Sequence, residues 1–332
     1  MRPLTKAPRD ATTTIGRPTP PANQPVRRDF RVMGSQAHIV VHGGTSLMLD
    51  AAEQKLHQLE ALWSRFRDSS DITRANQAGG HPVQVHEETL AVVSRALEAC
   101  RQTNGLFDIT TLPALLDHGY THSATTRSPA PAVPGRRVGQ SNWVEVDYEK
   151  STLRVPGTTA IDLGGIGKGF AADIVAEALI EAGAGGALVN IGGDLVVLGT
   201  PCDDTSWYLG IEDPHNVPHH IAYLRLGAGG IATSGTTIRR WTTSTGGVAH
   251  HLIDPRHLSP SATSLLTATI IAADATTAEA FATAAMMLDG EGAIEMLDNA
   301  GLAGLLVSTH GDVLRTQTMS DFEVMEASTT AR

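Results

Sequence analysis

The sequence predicts an α+β fold, with mixed and mostly antiparallel sheets and packed helices. Three observations predict it. Strand-like runs come in pairs joined by short turns; helical runs are inserted between the pairs rather than alternating strictly with single strands; and 41% of the 332 residues are hydrophobic, enough for an ample core.

"FRVMGSQAHIVVHG", rich in Phe, Val and Ile and broken at Gly34, reads as a strand pair or a long bent strand. In "SLMLDAAEQKLHQLEALWSRF", Leu47, Ala51, Leu56, Leu59, Leu62, Trp63 and Phe66 recur at helical spacing, with Asp50 and Glu53 near the start. A polar segment, "RDSSDITRANQAGGHP", leads to a second helix, "ETLAVVSRALEACRQTNG", which Asn104-Gly105 ends where a left-handed residue is wanted. Past "LFDITTLPALLDHGY", residues 121–141 carry Pro, Ser, Thr and Arg and read as an exposed loop. "NWVEVDYEKSTLRVPG" is strand, turn and strand. "IDLGGIGKGFAAD" then opens a helix that continues through "IVAEALIEAGAGG". "GALVNIGGDLVVLG" is strand, glycine turn and strand, and "WYLGIEDP" and "HIAYLRLGAGGIATSG" continue the β pattern. "HHLIDPRHLSPS" is an irregular turn, "LLTATIIAA" a buried strand, "TTAEAFATAAMMLDGEGAIEML" one helical run, and "AGLLVST" with "DVLRTQT" a hairpin.

A formal net charge of -10, with no Lys/Arg block interleaved with aromatics, argues against a nucleic-acid partner. Cys100 and Cys202 stand far apart and outside any metal-like pair, so both read as packing residues. No run approaches the ~20 apolar residues of a membrane helix, so no membrane insertion is expected. Residues 1–28, rich in Pro and Thr and without an apolar signal core, read as a disordered arm; 29–324 form a single catalytic domain and 325–332 a flexible tail. The expected location is cytoplasmic, or extracytoplasmic if the true N-terminus differs.

Four glycines around Lys168 at the start of a helix (Gly164, Gly165, Gly167 and Gly169) suggest a phosphate loop. The P-loop pattern G-x-x-x-x-G-K-[ST] fails at Asp162 and at Gly169, and G-x-G-x-x-G fails because Gly169 comes one residue too soon. Two readings stay open on this segment: a backbone that approaches an anion, with helix N–H groups and a mobile cation, or a tight strand-to-helix turn whose lysine points to water.

The segment sits in a series: "MGS", "FRDSSDITRAN", "NGLFDIT", "IDLGGIGKGFAAD", "NIGGDLVVLG", "IATSG", "HLIDPR" and "AEAFATAAMMLDG". In content and order, from about Phe30 to about Gly290, the series resembles the FAD:protein FMN transferases, the ApbE flavin transferases. The resemblance implies an ApbE-like α+β fold that binds FAD in a cleft with Mg2+. It implies transfer of FMN from FAD onto a Thr or Ser hydroxyl in an FMN-acceptor domain of a redox flavoprotein, with release of AMP. The alternatives are an FAD pyrophosphatase giving FMN and AMP, and a non-catalytic FAD-binding or carrier protein. By the same resemblance Met33, Phe66, Leu106, Phe107, Asp108, Asp162, Lys168, Ser234 and Ile253 line the FAD cleft. Gly165, through its carbonyl, with Glu279 and Thr283 would form the metal site; an i, i+4 spacing puts the last two on one helix face. His251 would be the base and Asp254 would orient it or the incoming hydroxyl; an ordinary imidazole, with a pKa of about 6.5, accepts a proton at neutral pH. The chain departs from the family where Glu279 replaces the usual Asp, where Ala282 replaces an acidic ligand of some relatives, where Phe66 stands in place of a common Tyr, and where "DPRHLS" replaces "DPRTG".

Overall fold

The structure, a computed structural model, describes residues 24–122, 130–133, 136–201, 206–242 and 246–324. The expected arm up to residue 23, part of the 121–141 loop, Cys202 and the tail from 325 lie outside the described residues. Among the described residues an eight-stranded sheet runs Val26–Val32, Ser35–His42, Gly186–Ile191, Asp194–Gly199, Gly229–Gly235, Leu265–Ala272, Ala303–Ser308 and Val313–Arg315. Its order in space is its order along the chain, and every pairing is antiparallel. The sheet begins at Val26, so residues 26–28 belong to the domain rather than to the arm.

Alternation along each strand feeds two faces. Ile39, Val41, Val189 and Val196 pack under the helices, whereas Val40, Leu188 and Val197 turn to the other face. There they meet Trp207, Ile211, Leu224 and Leu226 of a three-stranded sheet.

Residues 43–185, between the second and third strands, hold α1 (Ser46–Trp63), α2 (Asp71–Gln77), α3 (Glu87–Gln102), α4 (Leu112–Asp117) and α5 (Gly167–Glu181). In α1 the buried stripe is Leu49, Ala52, Leu56, Leu59 and Trp63, while Leu47 is exposed and Phe66 lies beyond the helix. Leu56 and Leu59 are fully buried, each contributing ~1.5–3 kcal/mol by area. The polar segment after α1 conceals α2, which Ser70 caps by accepting from the Thr73 N–H at 3.1 Å. Helix α3 ends as expected, with Asn104 and Gly105 both left-handed. The run after the sixth strand is two helices rather than one: α6 (Ala275–Ala285) and α7 (Gly290–Asn299), which Asp289 caps through the Gly292 N–H.

The placement of α6 matters most, because it carries Glu279 and Thr283. Asp173 of α5 accepts from the Ala275 and Thr276 N–H groups, each at 2.9 Å, and Asp274 accepts from the Thr277 N–H. Two carboxylates therefore satisfy the first-turn donors of α6. Burial pushes the Asp173 carboxyl up to about 6, against the hydrogen bonds it accepts. A Cβ at Gly169 would lie 2.3 Å from the Ala275 carbonyl oxygen, so α5 and α6 can approach this closely only because residue 169 is glycine.

Candidate active site

The glycine segment is organised by Asp162. Its Oδ1 accepts from the Gly164 N–H at 2.9 Å and its Oδ2 lies 3.0 Å from Arg65 Nε, so the turn is pinned to the end of α1. Arg65 is buried, and its guanidinium also lies over the Phe66 and Tyr120 rings. Three residues beyond Asp162, a Cβ at Gly165 would sit 3.2 Å from both Phe107 Cε2 and Thr283 Oγ1. Thr283 Oγ1 is in turn 3.4 Å from Ser234 Oγ. Gly165, Phe107, Thr283 and Ser234 are thus brought together.

Lys168 lies in the first turn of α5, where helix N–H groups and the helix dipole favour anions. It does not point freely to water. Its ammonium donates to Asp194 Oδ2 and, at 2.7 Å, to Glu279 Oε1. Glu279 Oε2 accepts from the Gly169 N–H at 2.8 Å, so this carboxylate of α6 caps α5. Both acids are only 2% exposed. Burial pushes the Lys168 ammonium down from its ordinary range and nearby Arg239 adds to this, while Glu279 opposes it.

Arg239 closes the cation group. Its backbone is left-handed (φ +57°), a conformation non-glycine residues adopt uncommonly, and Nη2 donates to Ser35 Oγ at 3.5 Å. Ser35 follows the Met33-Gly34 hairpin turn, in which both central residues are left-handed. The Met33 N–H donates to Glu60 Oε1 at 2.9 Å, which ties the turn to α1. His251 completes the cluster. Its ring Nδ1 is sealed from solvent and has no hydrogen-bond partner among the described residues. Burial first, then the charges of Arg239 and Lys168, lower its pKa to about 3, so the imidazole is neutral at pH 7.

Other expected residues have local tasks. Asp254 accepts from Arg256 Nε at 3.0 Å, Arg256 Nη2 at 2.8 Å and the Arg256 N–H at 2.9 Å, and lies 3.0 Å from His257 Nδ1. Burial alone would raise its pKa; these donors hold it at about 2. It locks the turn after His251, and each of its carboxylate oxygens is engaged there. Ile253 packs in an apolar cluster with Leu112, Leu115 and Ala160. Asp108 accepts from the Thr110 N–H, Thr110 Oγ1 and Ser141 Oγ, capping the short helix Ile109–Thr111. Leu106 is partly buried between two core clusters. Phe66 lies edge-on to Tyr120, which stacks on Trp241 at 5.1 Å. Cys100 is a free thiol whose pKa burial raises.

The model of the ApbE family matches residues 33–306. The chain belongs to the ApbE family. A Klebsiella pneumoniae (strain 342) relative named FAD:protein FMN transferase is 28% identical over 320 residues, covering 92% of this chain and 90% of its own length. A Treponema pallidum relative of the same name is 29% identical, with 73% and 71% covered. The crystal structure of the ApbE protein from Thermotoga maritima superposes with a TM-score of 0.80 at 27% identity, over 91% of this chain and all of that one. The flavinyl transferase ApbE of Pseudomonas stutzeri, at 23% identity, shares the fold with a TM-score of 0.76.

Within this ApbE chain the expected metal donors do not fit a divalent ion together. The Gly165 backbone and the Thr283 hydroxyl adjoin, but the carboxylate that should complete the set has one oxygen on an ammonium and the other on an N–H. Among the described residues no three His, Cys, Asp or Glu side chains converge elsewhere to hold a cation. Sequence reasoning missed Arg239, Asp194, Arg65, Tyr120 and Trp241. Asp194 lay within reach as the acid after the glycines of "NIGGD"; Arg239, in "TTIRRW", had no spacing or periodicity to mark it.

Proposed function

We propose that this chain is an FAD:protein FMN transferase. The observation that carries the reading is the grouping of Lys168, in the first turn of α5, with Arg239 and with His251, a half-buried imidazole whose Nδ1 is sealed from solvent and whose pKa burial and both charges lower. Two cations and a helix N-terminus suit a pyrophosphate, and a neutral imidazole beside them suits proton acceptance. FAD lies with its pyrophosphate against Lys168 and Arg239, which bear the charge of the non-bridging oxygens. The Phe66 and Met33 side chains, apolar and polarisable, suit the flavin. An acceptor Thr or Ser hydroxyl gives its proton to His251, its oxygen bonds to the FMN-side phosphorus, and the bond from that phosphorus to the AMP phosphate oxygen breaks. AMP leaves with the bridging oxygen. Asp254, through Arg256 and His257, holds the turn that presents His251.

The test is purified protein with FAD and an acceptor domain, with magnesium or with chelator. Flavin covalently bound to the acceptor, with one AMP released per flavin, is the expected result; the paired samples read the magnesium dependence. FMN and AMP formed equally well without acceptor would make the chain a pyrophosphatase. FAD bound and left intact in every sample would overturn both enzymatic readings. No helix of the described residues is long and apolar enough to cross a membrane.

A further inference from the structure

We infer that Glu279 serves this chain as the holder of Lys168 rather than as the ligand of a divalent ion, so that without FAD the protein has no divalent-ion site of its own. The inference takes the cleft to be the FAD site proposed above. Four observations lead to it. Glu279 Oε1 is 2.7 Å from the Lys168 ammonium, and Oε2 accepts from the Gly169 N–H at 2.8 Å, so each oxygen has a positive partner. Asp194, equally buried, binds the same ammonium, so a cation already occupies the place between the two acids. The donors left over near Gly165, its carbonyl and the hydroxyls of Thr283 and Ser234, are all uncharged. Magnesium parts with its waters reluctantly and is ordinarily held by one or two carboxylates together with substrate phosphates, so neutral donors alone do not retain it.

The side-chain length explains the arrangement. Glu279 departs from α6 toward the first turn of α5, and its reach lets one carboxylate contact both Lys168 and the Gly169 N–H. An aspartate at 279, one methylene shorter, cannot span both partners and would be released toward Gly165 and Thr283. Glu279 is then a positioning residue: it fixes where the Lys168 ammonium waits for the pyrophosphate.

Electron paramagnetic resonance of free Mn2+, titrated with the full chain, tests this directly. Wild type without FAD is expected to leave the free-ion signal unchanged into the millimolar range, and E279D to bind Mn2+ at least ~10-fold more tightly, the scale on which ligand-shell changes act. A thermal melt establishes that E279D is folded; if it is not, the wild-type and E279Q titrations still decide. Micromolar Mn2+ binding by wild type without FAD, abolished in E279Q, would overturn the inference. Flavin fluorescence in the same samples, in chelator, separates the two claims. If no sample binds FAD, the transferase reading fails whatever the Mn2+ result. If FAD affinity is the same in wild type and E279Q, the positioning role is refuted while the transferase reading stands.

Discussion

Gly169→Ala separates what the local sequence favours from what the packing requires. Helix propensity favours alanine by ~1 kcal/mol over glycine inside a helix. The packing opposes it: the added Cβ would meet Ala275 O at 2.3 Å, Ala275 C at 2.6 Å and Thr276 N at 2.9 Å, all backbone atoms. None can rotate away, so α5 and α6 must separate. Overpacking of this kind costs typically ~1–3 kcal/mol and sometimes more. Taking ~3 kcal/mol against the ~1 gained gives a net loss of ~2 kcal/mol. At ~1.5 °C per kcal/mol, from ~2 cal/mol/K of unfolding entropy per residue over a chain of this length, Tm falls by about 3 °C. The separation also draws Glu279 from the Gly169 N–H, so FAD affinity should fall with it. The control is Gly227→Ala, where a Cβ meets nothing within 4 Å. Differential scanning fluorimetry reads both. A G169A protein as stable as wild type would refute the claim that this glycine sets the α5–α6 distance.

Arg239→Gln should weaken FAD binding roughly 10-fold or more, the value of one charge-assisted hydrogen bond of ~1.5–3 kcal/mol, with Tm unchanged; an unaltered fluorescence titration would remove Arg239 from the site. Asp254→Asn turns an acceptor of the Arg256–His257 lock into a donor and should lower stability by ~1–3 kcal/mol in denaturant melts; a large loss of kcat at unchanged stability would instead make Asp254 catalytic. His251, held neutral in the fold down to about pH 3, is protonated in the unfolded chain below about 6.5. Its contribution is fully present above pH ~6.5 and lost as pH falls toward 3, at ~1.4 kcal/mol per pH unit, so His251→Gln should gain on wild type across that window. Asp173 has the opposite sign. Its carboxyl titrates at about 6 in the fold and ~3.9 unfolded, so its contribution is fully present below ~3.9 and lost as pH rises to 6; denaturant melts of Asp173→Asn and of His251→Gln, each against wild type across pH, separate the two.

Much of the fold was legible because its strands alternate and its turns are marked. "MGS" and "NIGGD" stand at hairpin turns, and the buried strand "LLTATIIAA" sits centrally enough to be apolar on both faces. The polar α2 escaped because it buries only Ile72 and Ala75 as apolar residues, too short a stripe to read, and is otherwise held by the Ser70 cap and by Asn76, which bonds the Ile161 backbone 85 residues away. The break between α6 and α7 escaped because Met286, Met287 and Leu288 continue the helical composition while Asp289 starts a new helix. At the site, the motifs located Gly165, Lys168, His251 and Glu279, but partnership is a matter of distance in space. That Glu279 faces an ammonium depends on the crossing of α5 and α6, which Gly169 and Asp173 set and no short motif records.

The charge distribution in the cleft bears on how the base works. The chain carries a net charge of -10, so attraction for an anionic pyrophosphate has to be local. Arg65 is matched by Asp162, and Lys168 by Asp194 and Glu279, whereas Arg239 has a long hydrogen bond to a hydroxyl. Of the two cations proposed to meet the pyrophosphate, Arg239 is therefore the less compensated and Lys168 the more. The same two cations that would receive the pyrophosphate, Arg239 and Lys168, help to hold His251 near 3. A bound pyrophosphate offsets their field, so the imidazole becomes more basic when the site is filled. An NMR titration of the His251 ring with and without ADP, a diphosphate that offers no FMN to transfer, should show its pKa rising in the complex. Equal values with ADP bound would mean that the anion lies elsewhere and that Lys168 and Arg239 do not share it.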